Sequence, residues 1–255
     1  MKKSCLYTGG AFPALIAVIS MFFTLRLTGI GGSLLSAVIL TMVILVGIFA
    51  TFLFSWALSK TVLKGVASSF TLELPPYRKP KTLQLLTRSL LDRTLFVLGR
   101  AVMVAAPAGL VIWVLANVTV GDTSLLMHCA NFLAPLGNLM GLDGIILMAF
   151  VLGFPANEIV IPLIIMGYMA TGTLTDALSL ESLRVLLVNN GWTLLTAINT
   201  LIFILFHFPC STTMLTIKKE TQSVKWTLLS FFLPLATGIG LCMLTTLFWR
   251  LLGLG

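Results

Sequence analysis

Six stretches of this chain, near residues 11–27, 34–58, 101–119, 144–170, 191–208 and 226–249, run almost without charge. Each approaches or exceeds the roughly 20 residues a helix needs to cross a hydrocarbon layer about 30 Å thick. Lipid offers the backbone no hydrogen-bonding partners, so spans of this length are confined to helices. The expected fold is therefore all-α, a polytopic integral membrane protein with about six hydrophobic segments. The 58% hydrophobic and 9% charged content agrees, and the mean hydropathy of +1.07 excludes a soluble domain. At 255 residues the expectation is one membrane domain. Residues 1–58 carry two spans, 59–100 form a cytoplasmic linker with an amphipathic helix at 81–100, and 101–255 form a second membrane region.

The net charge of +8 is explained by topology and needs no nucleic acid partner. Eight of the sixteen basic residues lie between 60 and 100, and none lies between 120 and 143. Because Lys and Arg collect on the cytoplasmic side, 59–100 is assigned inside and 120–143 outside. The first run lacks a small-residue cleavage site after a short apolar core, so it reads as a span rather than a signal peptide. Counting crossings then meets a conflict. If 144–170 and 191–208 both crossed, Lys218, Lys219 and Lys225 would lie outside. One segment should turn back, and 144–170 is the better candidate, since Gly153 and Pro155 divide it into pieces of about 10 and 13 residues, too short to span. A break at Pro209-Cys210 is a second candidate, and a dip of 125–142 into the membrane would also restore the count.

Within 151–167, "VLGFPANEIVIPLIIMG", stands one carboxylate, Glu158, just after the Gly153-Pro155 break. No Lys or Arg occurs between 101 and 183 to pair with it. A carboxylate in lipid is costly and usually faces an ion pathway, and broken helices line such pathways in transporters. A second break, "FHFPCSTTMLTIKKE", has the same grammar, with Pro209 and Cys210 followed by Ser211, Thr212 and Thr213. A third Phe-Pro pair falls at Phe12-Pro13, and recurrence of such breaks suggests an internal repeat around one site. Carboxylate, thiol and imidazole suit a borderline divalent transition metal better than Mg²⁺ or Ca²⁺, which makes Glu158 and Cys210 the candidate ligands and His207 a third. The four cysteines show no CxxC spacing, so no disulfide framework or zinc site is signalled. Met127, His128 and Cys129 are adjacent and point apart on a helix. Asn189, Asn190 and Asn199 fit either a cavity lining or helix-to-helix hydrogen bonds.

Three segments, "FTLELPPYRKPK" (70–81), "GFPANEIVIP" (153–162) and "HFPCSTTMLTIKKETQSVKWTLLSF" (207–231), resemble the C-terminal membrane half of bacterial ferrous iron transport protein B, FeoB. The resemblance covers nearly the whole chain in the family's order. It implies Fe²⁺ movement across the bacterial cytoplasmic (inner) membrane, through regions called Gate motifs that are shared with nucleoside-recognition proteins. Carried onto this sequence, the gate comprises Gly153, Phe154, Pro155, Asn157, Glu158, Pro209, Cys210 and Ser211, with Asn157 where relatives often have Lys. Residues 1–58 would then hold the end of a first Gate region. Cys5, eight residues before Pro13, is out of register with that region's usual cysteine.

Fe²⁺ is implied as transported substrate, with no permanently bound cofactor and no enzyme activity. The family's GTPase domain is absent from the expected architecture, since no G-x-x-x-x-G-K-[ST] loop occurs here. A GTPase-bearing FeoB N-terminal chain and small Feo accessory proteins are the implied partners, besides lipid and a possible second copy. A standalone Gate protein of the nucleoside-recognition or spore-maturation kind, and a non-autonomous piece of a split FeoB, are the alternatives.

Overall fold

The first long helix, α1 (Ile30–Thr61), is apolar on every face and 32 residues long, about 48 Å at 1.5 Å per residue. Only 6% of its span Ala37–Trp56 is buried, and Phe49 and Phe52 stand fully outward. A helix with no polar face and little protein cover, limited to the side of Ile39, Leu40, Val43 and Gly47, is built to meet lipid. Near its end the Lys60 ammonium lies 4.4 Å over the Trp56 ring, an aromatic and basic pair of the kind that anchors spans at the membrane interface. These features come from a computed structural model of the chain, which describes residues 30–61, 87, 90–170 and 180–253.

Residues Leu90–Leu95 form a wide-wound turn that runs into α2 (Phe96–Asn117). Besides residue 87, this turn and the start of α2 are what is described of the amphipathic helix expected at 81–100, and Leu91, Leu95 and Leu98 are exposed there. Beyond α2 the chain makes a small antiparallel hairpin, β1 (Thr119–Val120) with β2 (Thr123–Ser124). The Ser124 hydroxyl then caps α3 (Leu125–Leu139) by accepting from the Met127 N–H at 3.3 Å.

The sharpest reversal follows, because α3 and α4 (Gly144–Leu152) meet at 111° across residues 140–143. Gly144 permits it, for a Cβ there would lie 2.0 Å from the Ala130 carbonyl oxygen. Asp143 caps α4, accepting from the N–H groups of Ile145 and Ile146. The same carboxylate accepts from the Tyr168 hydroxyl at 2.5 Å, and the Trp192 indole N–H donates to that hydroxyl at 2.8 Å. One acidic side chain thus ties the α3–α4 corner to the end of α5 (Val160–Met169) and to the loop between α6 (Leu180–Asn189) and α7 (Leu194–Phe206).

Short α4 and α5 form the buried centre, with Ile146, Phe150, Val160, Leu163 and Ile164 almost wholly enclosed. Around them pack α7 and the final helix, α9 (Val224–Leu251), joined to α7 through α8 (Ser211–Thr221). Asn199 on α7, fully buried, donates to the Met140 carbonyl at 2.7 Å and to Thr246 Oγ1 at 2.9 Å, and accepts from Thr245 Oγ1. Of the two readings the sequence left open for the asparagines, Asn199 takes helix-to-helix bonding. Asn190 bonds within its own helix, donating to Leu186 O at 2.8 Å.

By length and composition three stretches among the described residues qualify as spans, Ala37–Trp56, Leu194–Thr221 and Val224–Leu251, and a fourth if α3 and α4 count as one. Residues 101–117 and 157–169 are shorter apolar helices. The chain is an all-α membrane protein of the multi-pass kind. The expected run at 11–27, with Phe12-Pro13 and Cys5, lies outside the described residues.

Candidate functional site

The two Phe-Pro sequences among the described residues break helices where they were expected to. After α4 the chain leaves helical geometry at Gly153, passes Pro155, makes a short tight turn at Asn157–Ile159 and resumes as α5. Pro155 withholds an N–H and restricts the residue before it, which ends α4. Gly153 is needed for close approach, since a Cβ would sit 2.5 Å from Val160 Cγ2 and 3.0 Å from the Ala149 carbonyl oxygen. After α7 the backbone turns extended at His207, continues through Phe208, Pro209 and Cys210, and re-enters helix at Ser211. This second break leaves Leu194–Thr221 readable as one 28-residue span, and the 111° bend described between α3 and α4 falls at the 125–142 stretch, the alternative to a turn-back within 144–170.

The two breaks dock on each other. The Ser211 N–H, unpaired within α8 because it opens that helix, donates to Phe154 O at 2.9 Å. The Ser211 hydroxyl donates to Pro155 O at 3.3 Å. Carbonyls released by one break are therefore satisfied by the helix start of the other. Phe154 meets Phe208 edge-on at 5.6 Å between ring centres, and Phe231 of α9 closes the contact at 5.9 Å from Phe154 and 4.9 Å from Phe208. Phe150 extends the aromatic wall to His207 at 5.4 Å.

The polar side chains divide by depth. Glu158 is exposed, while its neighbour Asn157 is buried with Oδ1 lacking any hydrogen-bond partner. In a tight turn consecutive side chains point about 120° apart, so one faces out and the other in. Cys210 is half-buried, with Sγ 3.1 Å from Thr212 Oγ1 and 3.2 Å from Thr213 Oγ1. His207 is buried, its Nδ1 on Ile204 O at 2.7 Å and its Nε2 unpartnered. Gly153 and Ser211 are buried, and Phe154, Pro155 and Pro209 are half-buried. Glu158 and Cys210 are not joined with other acidic, His or Cys residues into a group of three or more among the described residues. His128, in the "MHC" cluster, is occupied by the hairpin, with Nε2 2.8 Å from Thr123 Oγ1 and 3.1 Å from Val120 O. Sequence reasoning named Ser211 without its bridging role and missed the Asp143–Tyr168–Trp192 clamp. An acidic residue directly before a helical run is a capping signal that pointed to Asp143.

Two helix breaks docked on each other among short buried helices, in a chain whose long helices are apolar, define a multi-pass membrane protein built on broken helices. The family model described as ferrous iron transport protein B C terminus matches residues 40–92, and that described as nucleoside recognition, the Gate family, matches 98–224. The chain belongs to the ferrous iron transport protein B family, in its C-terminal membrane part. It is similar to the Fe(2+) transporter FeoB of Staphylococcus aureus strain MSSA476, with 30% identity over 224 residues, 85% of this chain and 32% of that protein. Similar proteins of the same description occur in Leptospira interrogans (28% over 211 residues, 73% of this chain, 30% of that protein) and Synechocystis sp. (27% over 204 residues, 79% and 32%). The chain thus spans about a third of the length of these curated relatives, 32% of the first. No solved structure matches it.

Proposed function

We propose that this chain is the Gate-containing membrane part of a transporter that moves Fe²⁺ across the bacterial cytoplasmic membrane, and that the ion passes at the seam between the two docked breaks. The observation that carries the reading is the pair of hydrogen bonds from Ser211 to Phe154 O and Pro155 O. They bring the Glu158 and Cys210 segments together, and irregular backbone at membrane depth is tolerated where it lines a path.

Glu158, on the exposed side of the first break, is the capture group. Cys210, half-buried with two threonine hydroxyls beside it, is the softer ligand further in, and His207 lies deeper still. A transport site holds its ion loosely enough to release it, which fits a few ligands distributed along a seam better than one closed cluster. The chain is a transporter component rather than an enzyme. Energy coupling is assigned to a GTPase-bearing partner chain, with small Feo accessory proteins and a second copy as further partners. Residues 59–100 and 216–226 face the cytoplasm.

The test is anoxic Fe²⁺ uptake into cells or proteoliposomes carrying this chain together with the GTPase-bearing part. Glu158→Gln and Cys210→Ser should each reduce uptake about tenfold or more with membrane insertion unchanged, the loss expected when a ligand worth about 1.4 kcal/mol is removed. Cys129→Ser and Cys242→Ser should be nearly silent. Normal uptake by Glu158→Gln assigns the carboxylate to structure and removes it from the path.

A further inference from the structure

Two buried polar atoms among the described residues have no partner, Asn157 Oδ1 and His207 Nε2. Their residues are 6% and 9% exposed. An unsatisfied polar atom in such a place is destabilising, and native structures keep very few of them. These two lie one on each of the breaks that Ser211 joins.

Their chemistry is alike. His207 Nδ1 sits 2.7 Å from Ile204 O, and a carbonyl only accepts, so Nδ1 carries the proton. Nε2 of the neutral ring is then a bare lone pair. Histidines that bind metals have this arrangement, one ring N–H given to a backbone carbonyl and the other nitrogen left for the ion. Asn157 Oδ1 is likewise an acceptor. Each acceptor lacks a donor or a cation, and each lies on one of the two breaks that Ser211 joins. The Phe150, Phe203 and Phe208 rings that pack on His207 hold the imidazole in place and keep its surroundings apolar.

We propose that Asn157 Oδ1 and His207 Nε2, one on each docked break, make up the inner station of the seam, an oxygen and a nitrogen ligand that a partly dehydrated borderline divalent cation meets as it passes. It rests on the ferrous-transport reading and lies deeper than Glu158 and Cys210. Imidazole selects transition metals of the Fe²⁺, Co²⁺ and Ni²⁺ kind over Mg²⁺, so the station discriminates after capture by a carboxylate that accepts either. Nothing covalent changes: the ion exchanges some of its water for two protein lone pairs and recovers it on leaving.

The full chain in detergent, titrated without oxygen with Co²⁺ as the spectroscopic probe, tests this. Wild type should give d–d absorption that excess Mg²⁺ does not displace. Asn157→Leu and His207→Phe, which fill the same space without a lone pair, should each weaken Co²⁺ binding at least about tenfold, the range seen when a metal's supporting groups are lost. His207→Gln, which keeps an acceptor oxygen, should lose less. Asn157→Leu should raise the metal-free Tm by about 2 to 4 °C, because it removes an unsatisfied buried atom, whereas His207→Phe also loses the Nδ1 donation to Ile204 O and is judged on Co²⁺ binding. Failure of wild type to bind Co²⁺, or binding by both apolar variants equal to wild type, overturns the proposal. A lowered metal-free Tm for Asn157→Leu marks Oδ1 as the partner of a structural water and overturns it as well. Failure of the transport reading is seen separately, as uptake indifferent to Glu158→Gln and Cys210→Ser. Unchanged Co²⁺ binding in a chain whose uptake still needs Glu158 removes the inner station alone.

Discussion

Asn199 offers the most direct test of how this fold is held together. Its side chain makes three contacts beyond its own helix: donation to Met140 O at 2.7 Å, donation to Thr246 Oγ1 at 2.9 Å and acceptance from Thr245 Oγ1. They join α7 to α9 and to the α3–α4 corner. Interhelical hydrogen bonds in membrane proteins average about 0.6 kcal/mol, with a maximum of about 1.7. Asn199→Leu removes all three at nearly constant volume, so the expected loss is about 2 kcal/mol, or about a 30-fold fall in the folded-to-unfolded ratio. Asn199→Asp should lose more, because it removes the donor and sets a carboxylate against the Met140 carbonyl. Unfolding in mixed micelles of rising SDS fraction measures the difference. Asn190→Ala is the control, since that amide bonds only to Leu186 of its own exposed helix face. If Asn199→Leu unfolds within about 0.5 kcal/mol of wild type, the three bonds contribute no more than the expected scatter of a surface change, and the clasp is incidental.

Gly144→Ala should prevent accumulation of folded protein, because its Cβ would stand 2.0 Å from the Ala130 carbonyl oxygen. Gly240→Ala in α9, with nothing within 4 Å, should be neutral or slightly stabilising in the same expression and melting assay. Tyr168→Phe should cost about 1 to 2 kcal/mol in SDS unfolding, since it removes the hydroxyl that bridges Asp143 and Trp192. Single cysteines replacing Ser68, Ser223 and Asp122, in a background without the native four, should label from outside only at Asp122→Cys, and labelling of Ser223→Cys alone among the other two would reverse the topology assigned to 216–226.

What the sequence disclosed was mostly what lipid and proline dictate. Apolar length gave the helical membrane class, and Gly153, Pro155 and Pro209 marked both breaks because a missing N–H acts locally. The 111° reversal was harder to see, since it depends on α4 lying against the backbone of α3 at Gly144, a contact that no local pattern encodes. The docking of the breaks was equally hidden: residues 154 and 211 are far apart in sequence, and a shared Phe-Pro motif does not say that two copies touch. The apolar neighbours of Glu158 give its side chain no direction; the turn at Asn157–Ile159 leaves it exposed and buries Asn157. Helical periodicity cannot anticipate that, because it fails at a break.

The docked breaks also bring together four helix ends of opposite polarity. α4 and α7 arrive with their C-termini, and α5 and α8 depart with their N-termini. Each end acts as about half an elementary charge, negative at a C-terminus and positive at an N-terminus, and the effect fades within a turn. The seam is thus a small capacitor whose plates are made of backbone. Glu158 and Cys210 both stand at its positive plate, in the first turns leading to α5 and α8, where a negative side chain is favoured and also masks a field that repels cations. Pulling the breaks apart would discharge both plates together. Any motion that loosens the two Ser211 bonds therefore changes the electrical depth of the seam as well as its width.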